Sequence, residues 1–342
     1  MKRKLLALTT ILLALTVTFG GCENIMLIPG KSSGAIADDS SSSQNSEPLS
    51  AYPVTLNNTE ITKAPEKIVS LTPAYTEILF EMGYGKKITA VSDYCDYPEI
   101  VKELPKAASS ANPDIAAIKK LKPDLVVTAT PIVTKDKISL EAQGIKVLVI
   151  PSPRNIEEFE NVYKFFGLAM NGQFDGEAAG EKAFSPIKKQ LDAIKRTDKK
   201  FIYVTAANTP AGGDTFESAV LSLFGTNIAE SSSGYSYKAA DLADNQPDII
   251  FVSDTIGEDT LTANENYSDL KAVKDGKITV LKNKYFERPS GRITELIGTA
   301  AKAFGVDPSD KAEKENSSAP ASESENSSNT QNSSKEDSKA TE

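Results

Sequence analysis

Residues 67–98, KIVSLTPAYTEILFEMGYGKKITAVSDYCDYP, hold the pattern on which the reading of the chain turns. A short apolar run at 68–71 crosses Thr72 and Pro73 and continues at helical spacing over 75–82. It breaks at Gly83 and Gly85 and resumes as an apolar run at 88–91. A buried strand, an amphipathic helix and a second parallel strand need about this length, and the right-handed crossover rule leaves one topology. The turn at 70–76 and the loop at 92–98 then lie at the carboxyl ends of neighbouring strands, where open α/β sheets bind ligands.

The alternation continues on the carboxyl side. A helix is expected at 115–121, a strand at 124–128 after the Lys122-Pro123 break, a helix at 138–143 closed by Gly144, and a strand at 146–150. Helical runs follow at 155–169 and 174–194, interrupted at Asn171-Gly172. The second is expected to connect two lobes and to kink at Pro186, with Phe184, Ile187, Leu191 and Ile194 on one face. Gly176 and Gly180 lower its intrinsic propensity. Then the pattern restarts: strands at 201–205, 249–252 and 278–281, and helices at 216–224, 238–243, 267–271 and 291–304. On the amino side, 52–56 and 60–62 flank Asn57-Asn58 as a hairpin. The fold class is therefore α/β, with two Rossmann-like α/β lobes joined by a long connecting helix.

The two ends differ in kind from the middle. Residues 1–21 read as a secretory signal, with Lys2, Arg3 and Lys4 before an apolar core too short for a comfortable membrane span. Gly20 and Gly21 precede Cys22, which resembles a bacterial lipobox with Phe19 where leucine is usual. That resemblance implies acylation of Cys22 and an extracytoplasmic protein held on the outer face of the cell membrane. Residues 22–50 form a Ser-rich tether with a reach of about 25–30 Å. The expected divisions are then 51–153 for the first lobe, 154–198 for the connecting helical segment, 199–306 for the second lobe, and 307–342 for a polar tail with too few apolar residues to order itself.

Composition narrows the chemistry. The 342 residues carry a formal net charge of −9, which argues against nucleic acid as a partner. There is no histidine, so the usual general base, the common catalytic triads and the commonest metal ligand are all missing. A Zn²⁺ or Mn²⁺ cargo is disfavoured for the same reason. Cys22 and Cys95 make no disulfide framework, and Cys95 lacks the partners of a nucleophile or a metal site. No Gly-x-x-x-x-Gly-Lys spacing accompanies Gly212-Gly213, and no nucleophile elbow is present. An enzyme is not expected.

An ordered set of phrases carries a family likeness. IVSLTPAYTEILFEMG, SDYCDYP, LKPDLVV, QPDIIFV, LKAVKDGKITVL and FERPSGRI, spread over about 52–305, resemble in this order the substrate-binding proteins of ABC importers for vitamin B12 and ferric siderophores. The SDYCDYP loop looks most like the cobalamin branch. The resemblance implies that the connecting helix is rigid and that a ligand cleft lies between the lobes, in a monomeric binding protein with no cofactor, a corrinoid as ligand and ABC permease subunits as partners. It further implies that Tyr94 lines one wall of the cleft and that Phe286 and Arg288 line the other. Tyrosines suit a macrocycle with amide side chains, and an arginine fork suits carboxylate, phosphate or amide oxygens. Ser110 and Ala129 stand where some relatives place tryptophan, so Tyr75, Tyr235, Tyr237 and Tyr285 are candidate substitutes. Relatives dock through one glutamate per lobe; the corresponding positions here are Ala116 and Ala239, with Asp114 and Asp241 two residues away.

Alternatives stand beside these readings. The ligand could instead be a ferric siderophore, which would want several arginines or lysines in the cleft, or haem. The chain could be a surface scavenger or sensor that does not drive a standard permease. Tyr94 could be a loop aromatic covering the core. Arg292, and less so Arg288, reads as a surface partner of Glu287 or Glu295.

Overall fold

The computed structural model describes residues 50–306. Cys22, the tether before residue 50 and the polar tail after residue 306 lie outside the described residues.

The described chain opens with an antiparallel hairpin, β1 (Val54–Leu56) and β2 (Thr59–Ile61). Asn57 and Asn58 both take positive φ at its turn, as a two-residue hairpin of this hand requires. The Thr59 hydroxyl donates to the Val147 carbonyl at 2.8 Å and the Asn57 amide to the Val149 carbonyl at 2.9 Å. The hairpin thereby covers an edge strand that would otherwise offer free backbone groups.

The first parallel sheet contains β3 (Ile68–Ser70), β4 (Ile88–Val91), β5 (Leu125–Thr128) and β6 (Lys146–Val149), in the order β4-β3-β5-β6. The helices α1 (Pro73–Glu81), α2 (Ile115–Leu121) and α3 (Thr134–Glu141) connect them. The strands are near-continuous apolar runs because both faces are covered. Proline at the first position of α1 and Asp114 capping α2, its carboxylate accepting from the Ala117 N–H at 2.9 Å, set where these helices begin.

Next comes α4 (Ile156–Asp192), which is two helical arms interrupted at Gly172, where the Gln173 N–H leaves the helix and donates to the Ala51 carbonyl at 2.9 Å. At Gly172, φ is 76°, and the chain reverses there into two antiparallel arms. The reversal is plain from Lys164, whose ammonium reaches Glu181 at 2.9 Å and Glu177 at 3.6 Å. A side chain at Gly176 would fall 2.4 Å from the Leu168 Cα, and one at Gly180 would fall 2.5 Å from the Lys164 Cα. The glycines that weaken the helix locally are what let its arms touch. The interruption expected at Asn171-Gly172 is there, at Gly172, whereas the kink expected at Pro186 is not: that proline is accommodated within the second, connecting arm.

The second sheet contains β7 (Lys200–Val204), β8 (Thr226–Asn227), β9 (Ile249–Ser253) and β10 (Ile278–Leu281), in the order β10-β9-β7-β8. Around it lie α5 (Phe216–Leu221), α6 (Gly257–Ala263), α7 (Lys271–Lys274), α8 (Lys284–Glu287) and α9 (Ile293–Phe304). The helix expected at 267–271 is replaced by turns leading into α7, and α6 was not anticipated. Its sequence signal is slight: Glu258 and Asp259 in the first turn after a glycine. Residues 239–243 form a 3₁₀ turn rather than an α-helix. Counting strands within each lobe, both sheets have the order 2-1-3-4, so each has its switch point between its first and third strands. One apolar core runs through both lobes by way of α4: Phe159 meets Tyr163, Phe184 and Phe216 at ring distances of 5.2–5.6 Å.

Candidate functional site

The switch point of the first sheet is tied by the Thr72 hydroxyl, which accepts from the Ala129 N–H at 2.8 Å. Beside it runs the loop 92–98. Its Ser92 N–H donates to the Ser70 carbonyl and its Asp93 N–H to the Ala108 carbonyl, both at 2.9 Å. Cys95 is buried under the loop, its Sγ 3.2 Å from Thr76 Oγ1 and 3.3 Å from Ser92 Oγ. With Cys95 turned in, its neighbour Tyr94 is turned out and is 64 % exposed. Asp93 and Asp96 are exposed on the same loop.

From the second lobe, the segment following α8 crosses to this loop. Arg288 Nη1 donates to Asp96 Oδ1 at 2.6 Å. Four residues on, Arg292 forks onto Glu77, with Nε donating to Oε2 at 2.8 Å and Nη2 to Oε1. The Ser290 hydroxyl donates to the same Oε2 at 2.6 Å. The guanidinium lies 4.5 Å from the Tyr97 ring centroid and 5.2 Å from that of Tyr285. One helical turn along α1, Glu81 accepts from the Gly291 N–H at 2.9 Å and from the Tyr163 hydroxyl at 2.6 Å. The lobes therefore meet in two tiers: an inner one beside α4, where Glu77 is buried and Glu81 stands at its exposed end, and an outer one at Asp96–Arg288.

Burial pushes the carboxyls of Glu77 and Glu81 above the usual carboxylate range. At Glu77 the bonds from Arg292 and Ser290 oppose that push; at Glu81 only the Tyr163 and Gly291 bonds and the more distant Arg292 charge do so, and the neighbouring Glu77 charge adds to it. On the second lobe, the Tyr235 hydroxyl donates to Glu217 at 3.1 Å, and burial first and Glu217 second raise its pKa to about 12. Tyr235 is nonetheless half exposed.

The structure separates the sequence candidates into two groups. Tyr94, Tyr235, Ser110 and Arg288 keep exposed or partly exposed side chains near the carboxyl ends of the strands. Tyr75 does not line a cleft: it is 1 % exposed, packs edge-on against Phe166 at 5.3 Å and donates to the Ile150 carbonyl. Phe286 is likewise buried, 5.1 Å from the Tyr203 ring, and Tyr285 is buried with its hydroxyl on Glu295 at 2.7 Å. These three back the walls rather than face them. Arg292 is corrected as well: its partner is Glu77 of the other lobe, not Glu287 or Glu295. Ala116 is exposed on α2, and Ala239 is half-buried at the start of the 3₁₀ turn. Asp114 is engaged in capping α2.

Sequence reasoning missed Glu77, Glu81, Asp96 and Tyr163. Glu77 inside the largely apolar run PAYTEILFE was the available signal, since such a group does not go inside without a partner.

The sequence pattern of the periplasmic binding protein family matches residues 68–285. An "Uncharacterized ABC transporter substrate-binding lipoprotein YvrC" of Bacillus subtilis (strain 168) is 26 % identical over 318 residues, 86 % of this chain and 96 % of its own length. A "Vitamin B12-binding protein" of Vibrio campbellii (strain ATCC BAA-1116) is 26 % identical over 274 residues, 74 % of this chain and 95 % of its own. Among solved structures, the periplasmic heme-binding protein HutB of Vibrio cholerae superposes with a TM-score of 0.60 at 20 % identity, covering 70 % of this chain and 97 % of its own, which shows the shared fold.

Proposed function

We propose that this chain, which belongs to the periplasmic binding protein family, closes its two lobes on a cobalamin-like corrinoid and presents it to an ABC importer. The family binds small-molecule substrates for transport and is not catalytic. The observation that carries the corrinoid reading is the state of the arginines: Arg288 and Arg292 are each met by a carboxylate from the opposite lobe. A polyanionic ferric siderophore wants unpaired cations, whereas a bulky, amide-fringed macrocycle wants apolar area with hydroxyl tips. Tyr94 and Tyr235 offer the latter from opposite lobes, with Ser110 nearby on the first. The similarity to a vitamin B12-binding protein supports the same choice. Acylation of Cys22 on the outer face of the membrane belongs to this reading, supported by the relative named a lipoprotein.

A second reading, a surface scavenger or sensor, is favoured by Ala116 and Ala239, which leave both expected docking positions without charge. Reconstitution with a B12-type importer discriminates: normal stimulated transport supports the importer role and rules out the scavenger. For the ligand, calorimetry of the full chain with cyanocobalamin, a ferric hydroxamate and a ferric catecholate is the test. The corrinoid is expected to bind in preference; tight siderophore binding with no corrinoid binding overturns the reading.

A further inference from the structure

Arg288 is the cleft cation placed where a ligand's negative group would be drawn, and it is already occupied. Its partner, Asp96, comes from the facing lobe at 2.6 Å. The Arg288 side chain is 20 % exposed and that of Asp96 is 49 % exposed, so the pair sits at the accessible outer tier rather than in the core. The inner arginine, Arg292, is committed to Glu77 and is screened by the Tyr97 and Tyr285 rings. Around the outer pair stand both signs of charge: Lys106 donates to the Cys95 carbonyl beside Asp96 at 3.4 Å, and carboxylates flank the pair on both lobes. Asp93 is exposed on the same loop, and on the second lobe Glu287 accepts from Asn283 at 2.6 Å and Glu217 from Tyr235 at 3.1 Å.

We infer that Asp96 sets the charge selectivity of the cleft, holding Arg288 neutralised so that an uncharged ligand is admitted and an anionic one is turned away. An anion seeking Arg288 must first displace Asp96 and then lie beside a carboxylate that no longer has a partner. A neutral ligand meets neither cost. Specificity of this kind comes from a built-in repulsive element, not from added attraction. The identity of the residue is what matters, since asparagine keeps the size and an acceptor oxygen but removes the charge. This inference rests on the cleft assignment in the proposed function and names one determinant of its selectivity.

The test compares the wild-type full chain with Asp96→Asn and with the double variant Asp96→Asn, Arg288→Met. Dissociation constants are measured calorimetrically for cyanocobalamin and for a ferric tris-catecholate at two salt concentrations. The ratio of the two constants is expected to move at least tenfold toward the catecholate in Asp96→Asn, more at low salt, and to return in the double variant. An unmoved ratio, including an equal weakening of both ligands, marks Asp96 as a lobe-closing contact only and overturns the inference. So does a shift that persists without Arg288. Failure of the wild type to bind cyanocobalamin contradicts the corrinoid reading separately, and the catecholate constant alone then reads the effect of Asp96.

Discussion

Glu77 carries a carboxylate that is 1 % exposed, and the groups that satisfy it, Ser290 and Arg292, arrive from the other lobe. Removing one partner of such a pair leaves an uncompensated buried charge, at a cost of about 3–5 kcal/mol. Arg292→Met is expected to lose about that much in urea unfolding, and adding Glu77→Gln is expected to restore part of it, a coupling that a double-mutant cycle measures directly. Glu81 gives a different signature. Its native carboxyl keeps its proton to higher pH than the unfolded chain, whose value is 4.5. Its contribution to stability is therefore fully present below that value and fades as pH rises through the raised native one. Unfolding midpoints from pH 4 to 7 should show the margin of wild type over Glu81→Gln shrinking as pH rises; a margin that grows would contradict the placement. Tyr94, which is exposed, was singled out through the family likeness of its SDYCDYP loop. The helix also held the evidence against Tyr75, which shares a face with Ile78 and Leu79 and so belongs to the core. The Glu77–Arg292 pair was not legible, because its halves stand 215 residues apart and only the folded lobes bring them together.

Among the elements, α4 shows how a local weakness serves a tertiary contact. Gly176 and Gly180 read along the sequence as poor helix formers, yet each stands where a Cβ would strike the backbone of the opposite arm. Gly298, in α9, is a helical glycine at which an added Cβ would meet nothing within 4 Å. Alanine should therefore act in opposite directions at the two sites. Gly176→Ala is expected to destabilise by about 1–3 kcal/mol through overpacking, and Gly298→Ala to stabilise by about 0.5–1 kcal/mol through helix propensity. Thermal unfolding of the two variants decides: no loss in Gly176→Ala would mean the arms are not in backbone contact, and a loss in Gly298→Ala would mean α9 is packed where the structure leaves room. The alternation of strands and helices, and the interruption at Asn171-Gly172, could be read in advance because they are local patterns. That the interruption is a reversal could not, since arm pairing is a property of what Gly167, Gly176 and Gly180 meet.

At the scale of the whole molecule, two sheets of the same strand order face one another through loops at their carboxyl ends, and one apolar core joins them through α4. A pivot of this construction permits small rocking rather than wide hinge opening. The inner tier, Glu77 and Glu81 on Ser290, Gly291 and Arg292, lies beside α4 and fixes the pivot; the outer pair, Asp96–Arg288, can part at less cost because it is partly solvated. The two lobes were evident from periodicity and the family from its ordered phrases. The character of the cleft was not, for each wall depends on a partner about half the chain away: Asp96 and Arg288 are separated by 192 residues. The central claim is that this cleft takes a corrinoid against Tyr94. Calorimetric titration of the full chain and of Tyr94→Ala with cyanocobalamin tests it most directly. The account predicts saturable one-to-one binding by the wild type and an affinity at least tenfold weaker, about 1.4 kcal/mol, in the variant; no saturable binding, or the same affinity in both proteins, would contradict it.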